Sequence, residues 1–207
     1  MKIIKPHHEI LTPLDGEQVL KHIEACGRVC YKSEHKTTDS SYLTFVRNIV
    51  KRGHEAVLEH FALSVKYVCD RGVSHEIVRH RLASYCQEST RYCNYAKDDF
   101  QNEITVIEPF YLDKDSQGYE CWERACQVAE QAYFDLLDIG CSPQEARAVL
   151  PNSLKTEIIM TANLREWRHF LKLRTSTAAH PQIREIALPL LSDLKTRIPV
   201  VFDDIEP

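Results

Sequence analysis

The sequence predicts a mixed α/β protein of the α+β kind, folded as one domain and lacking a Rossmann core. Two segments alternate strictly in polarity. Phe61, Leu63, Val65, Tyr67 and Cys69 form one apolar row, and Leu154, Thr156, Ile158, Met160 and Ala162 form the other. A period of two marks half-buried strands. Apolar stripes at three- and four-residue spacing recur around them and mark amphipathic helices. The six glycines, Gly16, Gly27, Gly53, Gly72, Gly118 and Gly140, never form G-x-G-x-x-G or a P-loop. Neither a dinucleotide-binding turn nor a Walker loop is therefore present, so side chains and helix ends must hold any nucleotide.

Composition narrows the class further. The 207 residues are enough to bury a sizeable core, and 43% hydrophobic with 27% charged residues is the balance of a soluble globular protein. A net charge of -4 argues against wholesale nucleic-acid wrapping, which wants a basic domain. MKIIKPHHEI lacks the apolar core of a signal peptide, and no apolar run reaches membrane-spanning length. The eight cysteines never form C-x-x-C. They read as reduced thiols in a cytoplasmic protein, mostly small buried hydrophobes. Cys26 with Cys30, or Cys86 with Cys93, fits metal-ligand spacing poorly even when His7 and His8 are added.

In chain order, Lys2 to Lys5 form a short strand, and Asp15 caps a helix carrying Val19, Ile23, Cys26 and Cys30, with Gln18 at the third position. Gly27 is expected to weaken that helix's second half. Lys32 to Ser40 is a loop. Leu43, Val46 and Val50 mark a second helix, ended by Gly53 as a left-handed cap. His54 and His60 lie six positions apart and cannot share a helix face, so the zinc-protease pattern H-E-x-x-H fails here. After the first long strand, Asp70-Arg71-Gly72 is expected to turn the chain. Ser74 is expected to cap a short helix that brings Arg79 to Arg81 to its C-terminal end, followed by a loop. Lys97 to Glu103 is a loop and Ile104 to Glu108 a strand. Trp122, Cys126, Ala129, Tyr133 and Leu136 mark a long helix to about Asp138, closed by Gly140. Pro143 opens a short helix carrying Arg147. The second long strand leads to Asn163, an N-cap with Glu166 three residues on. Its helix turns Leu164, Trp167 and Leu171 inward, leaves Arg165, Arg168, His169 and Lys172 elsewhere, and ends at Arg174. Pro181 opens the last helix, whose stripe is Ile183, Ile186, Leu190 and Leu194; Pro189 is expected to kink or split it.

The chemistry concentrates in Arg79–Tyr92, R-H-R-L-A-S-Y-C-Q-E-S-T-R-Y. Such a density of cations and hydroxyls suits an anionic ligand, because guanidinium forks grip phosphate through paired, charge-assisted hydrogen bonds. The bland alternative is a solvated basic face at a helix end. Arg147, Arg165 and Arg174 also sit beside helix termini or turns. Ser89 has no assignable base and orienting group, so it reads as a hydrogen-bonding residue rather than a nucleophile. Cys86 reads as an incidental thiol.

Arg79-His80-Arg81, seven residues, then Ser89, extended by Thr90-Arg91-Tyr92, resembles the signature of flavin-dependent thymidylate synthases. Gly53-His54-Glu55 with Glu59-His60, Arg147 in A-R-A-V-L-P, Asn163-Leu164-Arg165 and Leu171 to Arg174 extend the likeness over most of the chain. The resemblance implies an antiparallel central sheet packed by helices, in a homotetramer whose active sites lie where subunits meet. It implies reductive methylation of dUMP to dTMP, with methylenetetrahydrofolate giving the one-carbon unit, NADPH reducing FAD, and the flavin supplying the hydride. No enzyme nucleophile and no metal are implied. Arg79, His80, Arg81, His54, Glu59, Asn163, Arg165 and His169 would contact FAD. Glu76, Gln87, Ser89, Arg91, Arg147 and Arg174 would hold dUMP, with Ser89 and Arg174 closest to the chemistry. Cys86-Gln87 and His169 depart from residues common in that family.

Two other classes compete. A nucleotide- or RNA-binding module could use the same arginines, but the chain lacks a basic stripe interleaved with aromatics. A zinc hydrolase on His54, His60 and cysteines is disfavoured by spacing.

Overall fold

The computed structural model describes residues 1–97 and 102–207. The loop expected over 97–103 falls largely on 98–101, outside the described residues. Strands are β1 (Lys2–Ile4), β2 (His7–Ile10), β3 (Ala62–Asp70), β4 (Ala83–Gln87), β5 (Thr105–Ile107) and β6 (Lys155–Asn163). Helices are α1 (Gly16–Val29), α2 (Ser41–Lys51), α3 (Arg71–Ile77), α4 (Gln117–Asp138), α5 (Pro143–Ala146), α6 (Leu164–Arg174) and α7 (Pro181–Arg197). A four-stranded sheet has the order β2-β3-β6-β4, and β1 pairs in parallel with β5. The chain is a mixed α/β protein with an antiparallel sheet and helices, as expected.

Both alternating segments are strands, and the expected rows face inward: Leu63, Val65, Tyr67 and Cys69 on β3, and Leu154, Thr156, Ile158, Met160 and Ala162 along β6. Contacts group the described residues into two compact units. One comprises Met1–His7, Tyr67–Arg79 and Cys86–Ile159; the other comprises His8–Lys66, His80–Tyr85 and Met160–Pro207. In the first, the core is built from Tyr95, Ile104, Val106, Cys126, Tyr133, Ala146 and Leu154. In the second, Trp167 is fully buried, its indole N–H donates to Leu63 O at 3.1 Å, and its ring meets Phe170 edge-on.

Local signals account for most helix ends. Asp15 accepts the Gln18 N–H, and Asn163 accepts the Glu166 N–H at 2.9 Å. Gly53 takes φ +69°, its N–H reaches Val50 O, and the His54 N–H reaches Ile49 O. That is a Schellman cap, and Gly140 repeats it at the end of α4 with bonds to Leu137 O and Leu136 O.

Several expectations are corrected. Gly27 does not weaken α1, which runs to Val29; a Cβ there would lie 2.7 Å from the Phe45 ring, so the missing side chain is what lets α2 close on α1. Asp70, not Ser74, caps α3 by accepting the Val73 N–H at 2.6 Å, and no turn intervenes before the helix. The Ser74 hydroxyl instead donates to Arg71 O inside the helix. Helix α3 stops at Ile77, so Arg79 to Arg81 lie beyond it, and the expected loop holds edge strand β4. Strand β2 was not anticipated; four residues give too short a pattern to read. Pro189 does not split α7, which runs on from Pro181 to Arg197, because six buried side chains outweigh one lost backbone bond. Arg168 is buried rather than available, 1% exposed.

Gly16 also has a packing role: a Cβ there would meet the Arg197 carbonyl oxygen at 2.0 Å. Backbone cannot rotate away as a side chain can. Gly16→Ala is expected to destabilise by about 2 kcal/mol, the overpacking cost less the gain in helix propensity. Urea unfolding checks this; an unchanged midpoint would show that the α7 terminus yields freely.

Candidate functional site

The second unit contains a cleft of about 840 Å³. Helix α6 supplies most of one wall. Asn163 starts it, and Arg165, Glu166, His169 and Lys172 follow from the helix; Leu82, Glu55 and Glu59 complete the lining. Arg165 donates to Glu59 at 2.6 Å, with both side chains about half exposed. His54 faces a neighbouring hollow of about 390 Å³ that shares Glu55 and Arg165 with the cleft. Four residues of the implied cofactor set, Glu59, Asn163, Arg165 and His169, thus share one cleft, and His54 lies in the adjoining one. Arg79 and Arg81 are exposed on either side of His80 in the chain.

His80 is buried, 4% exposed. Its Nδ1 lies 3.1 Å from Glu166 Oε1, and its Nε2 receives the Nε–H of Arg174 at 3.1 Å. A guanidinium only donates, so Nε2 must be the acceptor and the proton sits on Nδ1, donated to Glu166. The imidazole is therefore neutral. Burial holds its pKa below the ordinary histidine value, helped by Arg174 and His169 and opposed by Glu166. Phe170 packs edge-on against the ring with centroids 4.8 Å apart, and the Tyr85 hydroxyl donates to the His80 carbonyl at 2.5 Å. Both ring nitrogens are committed, so a cofactor would meet the ring edge or backbone of His80.

His80, Glu166 and His169 offer ligand atoms within 4.8 Å of one another, the one such trio among the described residues. The Arg174 guanidinium on Nε2 leaves that nitrogen committed, and its positive charge opposes a cation nearby. His54 precedes the 3-10 turn Glu55–His60 and His60 ends it, and neither joins such a group among the described residues.

The first unit holds Glu76, Gln87, Ser89, Arg91 and Arg147 of the other set, and Arg174 belongs to the second. The Gln87 amide nitrogen donates to Ser74 Oγ at 2.9 Å and Thr156 Oγ1 at 3.2 Å, which ties the end of β4 to α3 and β6. Its carbonyl oxygen is the group left for a ligand. Ser89 opens a turn: its carbonyl accepts the Tyr92 and Cys93 N–H groups, and its hydroxyl accepts the Arg91 N–H at 3.3 Å. Arg91 is exposed and lies over the Tyr92 ring at 5.4 Å. Arg147, just past α5, donates to the buried Thr90 hydroxyl at 3.2 Å. Glu76 is half-buried in α3. Beneath the turn, Glu88 is held between the Tyr95 hydroxyl at 3.2 Å and Lys155 at 2.9 Å. Sequence reasoning missed Glu55, Glu166, Lys172 and Leu82 as cleft residues. Glu166 had a visible signal as a capping partner, but its carboxylate turns to His80.

These features define a mixed α/β protein with a cleft of mixed charge beside helix α6 in one unit and an arginine- and hydroxyl-rich turn in the other. Residues 15–200 match the family model described as thymidylate synthase complementing protein. The chain is 36% identical over 220 residues to a flavin-dependent thymidylate synthase of Mycolicibacterium gilvum, covering 97% of this chain and 84% of that one. It is 38% identical over 183 residues to one of Pyrococcus furiosus, covering 87% and 72%. A solved structure of the UMP/dUMP methylase PolB from Streptomyces cacaoi, bound with 5-Br dUMP, shares the fold with TM-score 0.78, 24% identity and coverage of 98% and 96%. The chain belongs to the flavin-dependent thymidylate synthase family.

Proposed function

We propose that this chain is an FAD-dependent thymidylate synthase that methylates dUMP to dTMP, with methylenetetrahydrofolate as one-carbon donor and NADPH as reductant. The observation that supports it most is the Arg79–Tyr92 segment, within a chain similar over most of its length to enzymes of that name. We place it in the cytoplasm as a homotetramer with active sites completed between subunits. Among the described residues, no helix is long and apolar enough to cross a membrane.

The size and mixed polar lining of the α6 cleft support its assignment to FAD. Arg165 and Lys172 offer cations for a pyrophosphate, Asn163 and Glu59 offer polar groups for hydroxyls, and His169 and Leu82 offer surfaces for a ring. The volume lies within the roughly 300–1,000 Å³ of small-molecule sites. Arg79, His80, Arg81 and His54 complete the proposed cofactor set. FAD, when bound, supplies the redox chemistry that turns the transferred one-carbon unit into a methyl group.

The chain's own residues bind and orient. Arg91 and Arg147 grip the dUMP phosphate, and Gln87, Ser89 and Glu76 hold the nucleoside. Arg174 faces the uracil carbonyls, where preorganised donors stabilise developing negative charge. Ser89 hydrogen-bonds the base and forms no covalent bond to it. The Cys86 thiol is exposed and takes no part. Cys86→Ala is therefore expected to retain methyl transfer, measured as dTMP formed; complete loss in a folded, FAD-loaded variant would restore a cysteine nucleophile.

The function is tested by incubating the purified chain with FAD, NADPH, methylenetetrahydrofolate and dUMP. dTMP should form only when FAD is present. A sample that is colourless and gains no flavin absorbance on adding FAD would overturn the proposal, and bound zinc would favour a hydrolase.

A further inference from the structure

The second unit contains a buried carboxylate beside the proposed site that the proposed chemistry does not use. Glu166 is 6% exposed and sits on α6 between Arg165 and Trp167, with its backbone N–H already taken by Asn163. A carboxylate so buried is costly unless it is paired or hydrogen-bonded. Its partner is the His80 Nδ1–H, and the far side of that ring carries Arg174. Carboxylate, imidazole and guanidinium thus form a directed chain, each link 3.1 Å long.

We propose that Glu166 is a positioning residue, which fixes the tautomer of His80 and through it the orientation of Arg174 toward the nucleotide. This rests on the reading of Arg174 as a dUMP contact. The direction of the chain matters. Without the carboxylate, the imidazole can move its proton to Nε2, and an Nε2–H opposes the Arg174 N–H instead of accepting it. The ring itself has little freedom: Phe170 packs against it, and Tyr85 holds its backbone carbonyl. A tautomer change therefore cannot be absorbed by ring rotation and falls on Arg174. Protonation of His80 would do the same. The charged or titratable groups facing the ring are Glu166, Arg174 and His169 from α6, with the Tyr85 hydroxyl from β4 on its carbonyl. Of these only Glu166 favours a proton, and burial and Arg174 oppose it.

The test compares Glu166→Leu, which removes the acceptor at similar size, with Glu166→Gln, whose amide oxygen still accepts from Nδ1. Assayed at saturating FAD, the Leu variant should raise the dUMP KM about tenfold, the scale of one lost charge-assisted hydrogen bond, and the Gln variant should restore most of that loss. A merely structural role would lower flavin loading and kcat together. Imidazole ¹⁵N NMR of the unsubstituted enzyme supplies a readout independent of turnover and of whether the Leu variant folds, and should show His80 as the Nδ1–H form. An Nε2–H form, an unchanged KM in the Leu variant, or an equal rise in both variants would overturn the proposal. An enzyme with the Nδ1–H form but no dUMP binding would leave the tautomer assignment standing. It would remove Arg174 as a nucleotide contact, and with it the role of Glu166.

Discussion

Replacing Glu55 and Asp204 together with alanine is expected to cost about 3–5 kcal/mol of stability, more than Arg168→Met costs. The asymmetry follows from where the charges sit. The Arg168 side chain is 1% exposed, whereas Glu55 is 22% and Asp204 45% exposed. Arg168 donates to Glu55 at 3.0 Å, to both Asp204 oxygens at 2.6 and 2.8 Å, and to the Val201 carbonyl. Removing the carboxylates strands a cation that cannot shed its proton. Removing the arginine leaves two carboxylates that water can reach, and methionine refills much of the space. Urea unfolding of the three proteins checks the order; an Arg168→Met variant less stable than the double alanine variant would contradict it. The hydrogen bond from Arg168 holds the Asp204 pKa below the ordinary carboxylate value. Its contribution is therefore full above the unfolded value and is lost as pH falls through the lower folded one.

Arg91→Ala should weaken dUMP binding about 100-fold while FAD remains bound, the effect of losing two charge-assisted hydrogen bonds to a phosphate. Arg91 is exposed and its guanidinium lies over the Tyr92 ring, which is itself exposed, so truncation should leave the fold unaffected. Calorimetric titration with dUMP measures the affinity, and flavin absorbance measures retention of the cofactor. Unchanged affinity would remove Arg91 from the nucleotide set. Loss of flavin instead would move it to the cofactor set.

What was legible in the chain was what neighbouring residues decide. The period of two in β3 and β6 was readable because each strand buries one face along its whole length. The ends of α1, α2, α4 and α6 were readable because a cap is a bond across three to six residues, as at Asn163 and Gly53. The arginine-rich segment was readable as a motif, since its chemistry is written consecutively. Strand β4 inside that segment was not, because an edge strand is specified by the neighbour it pairs with, here β6. Gly27 looked like a flaw in a helix, and only the Phe45 ring on α2 turned it into a contact.

The sequence by itself determined the two long strands, most helix boundaries and the set of residues able to grip an anion. Tertiary structure decided which of them are partnered. Glu166 reads as a capping residue until His80, 86 positions away, takes its carboxylate. Arg168 reads as a surface cation until Glu55 and Asp204, 113 and 36 positions away, enclose it. The physical reason is common to both: the local chain sets backbone conformation over a few residues, but the cost of burying a charge depends on partners that only the fold brings within 3 Å or so.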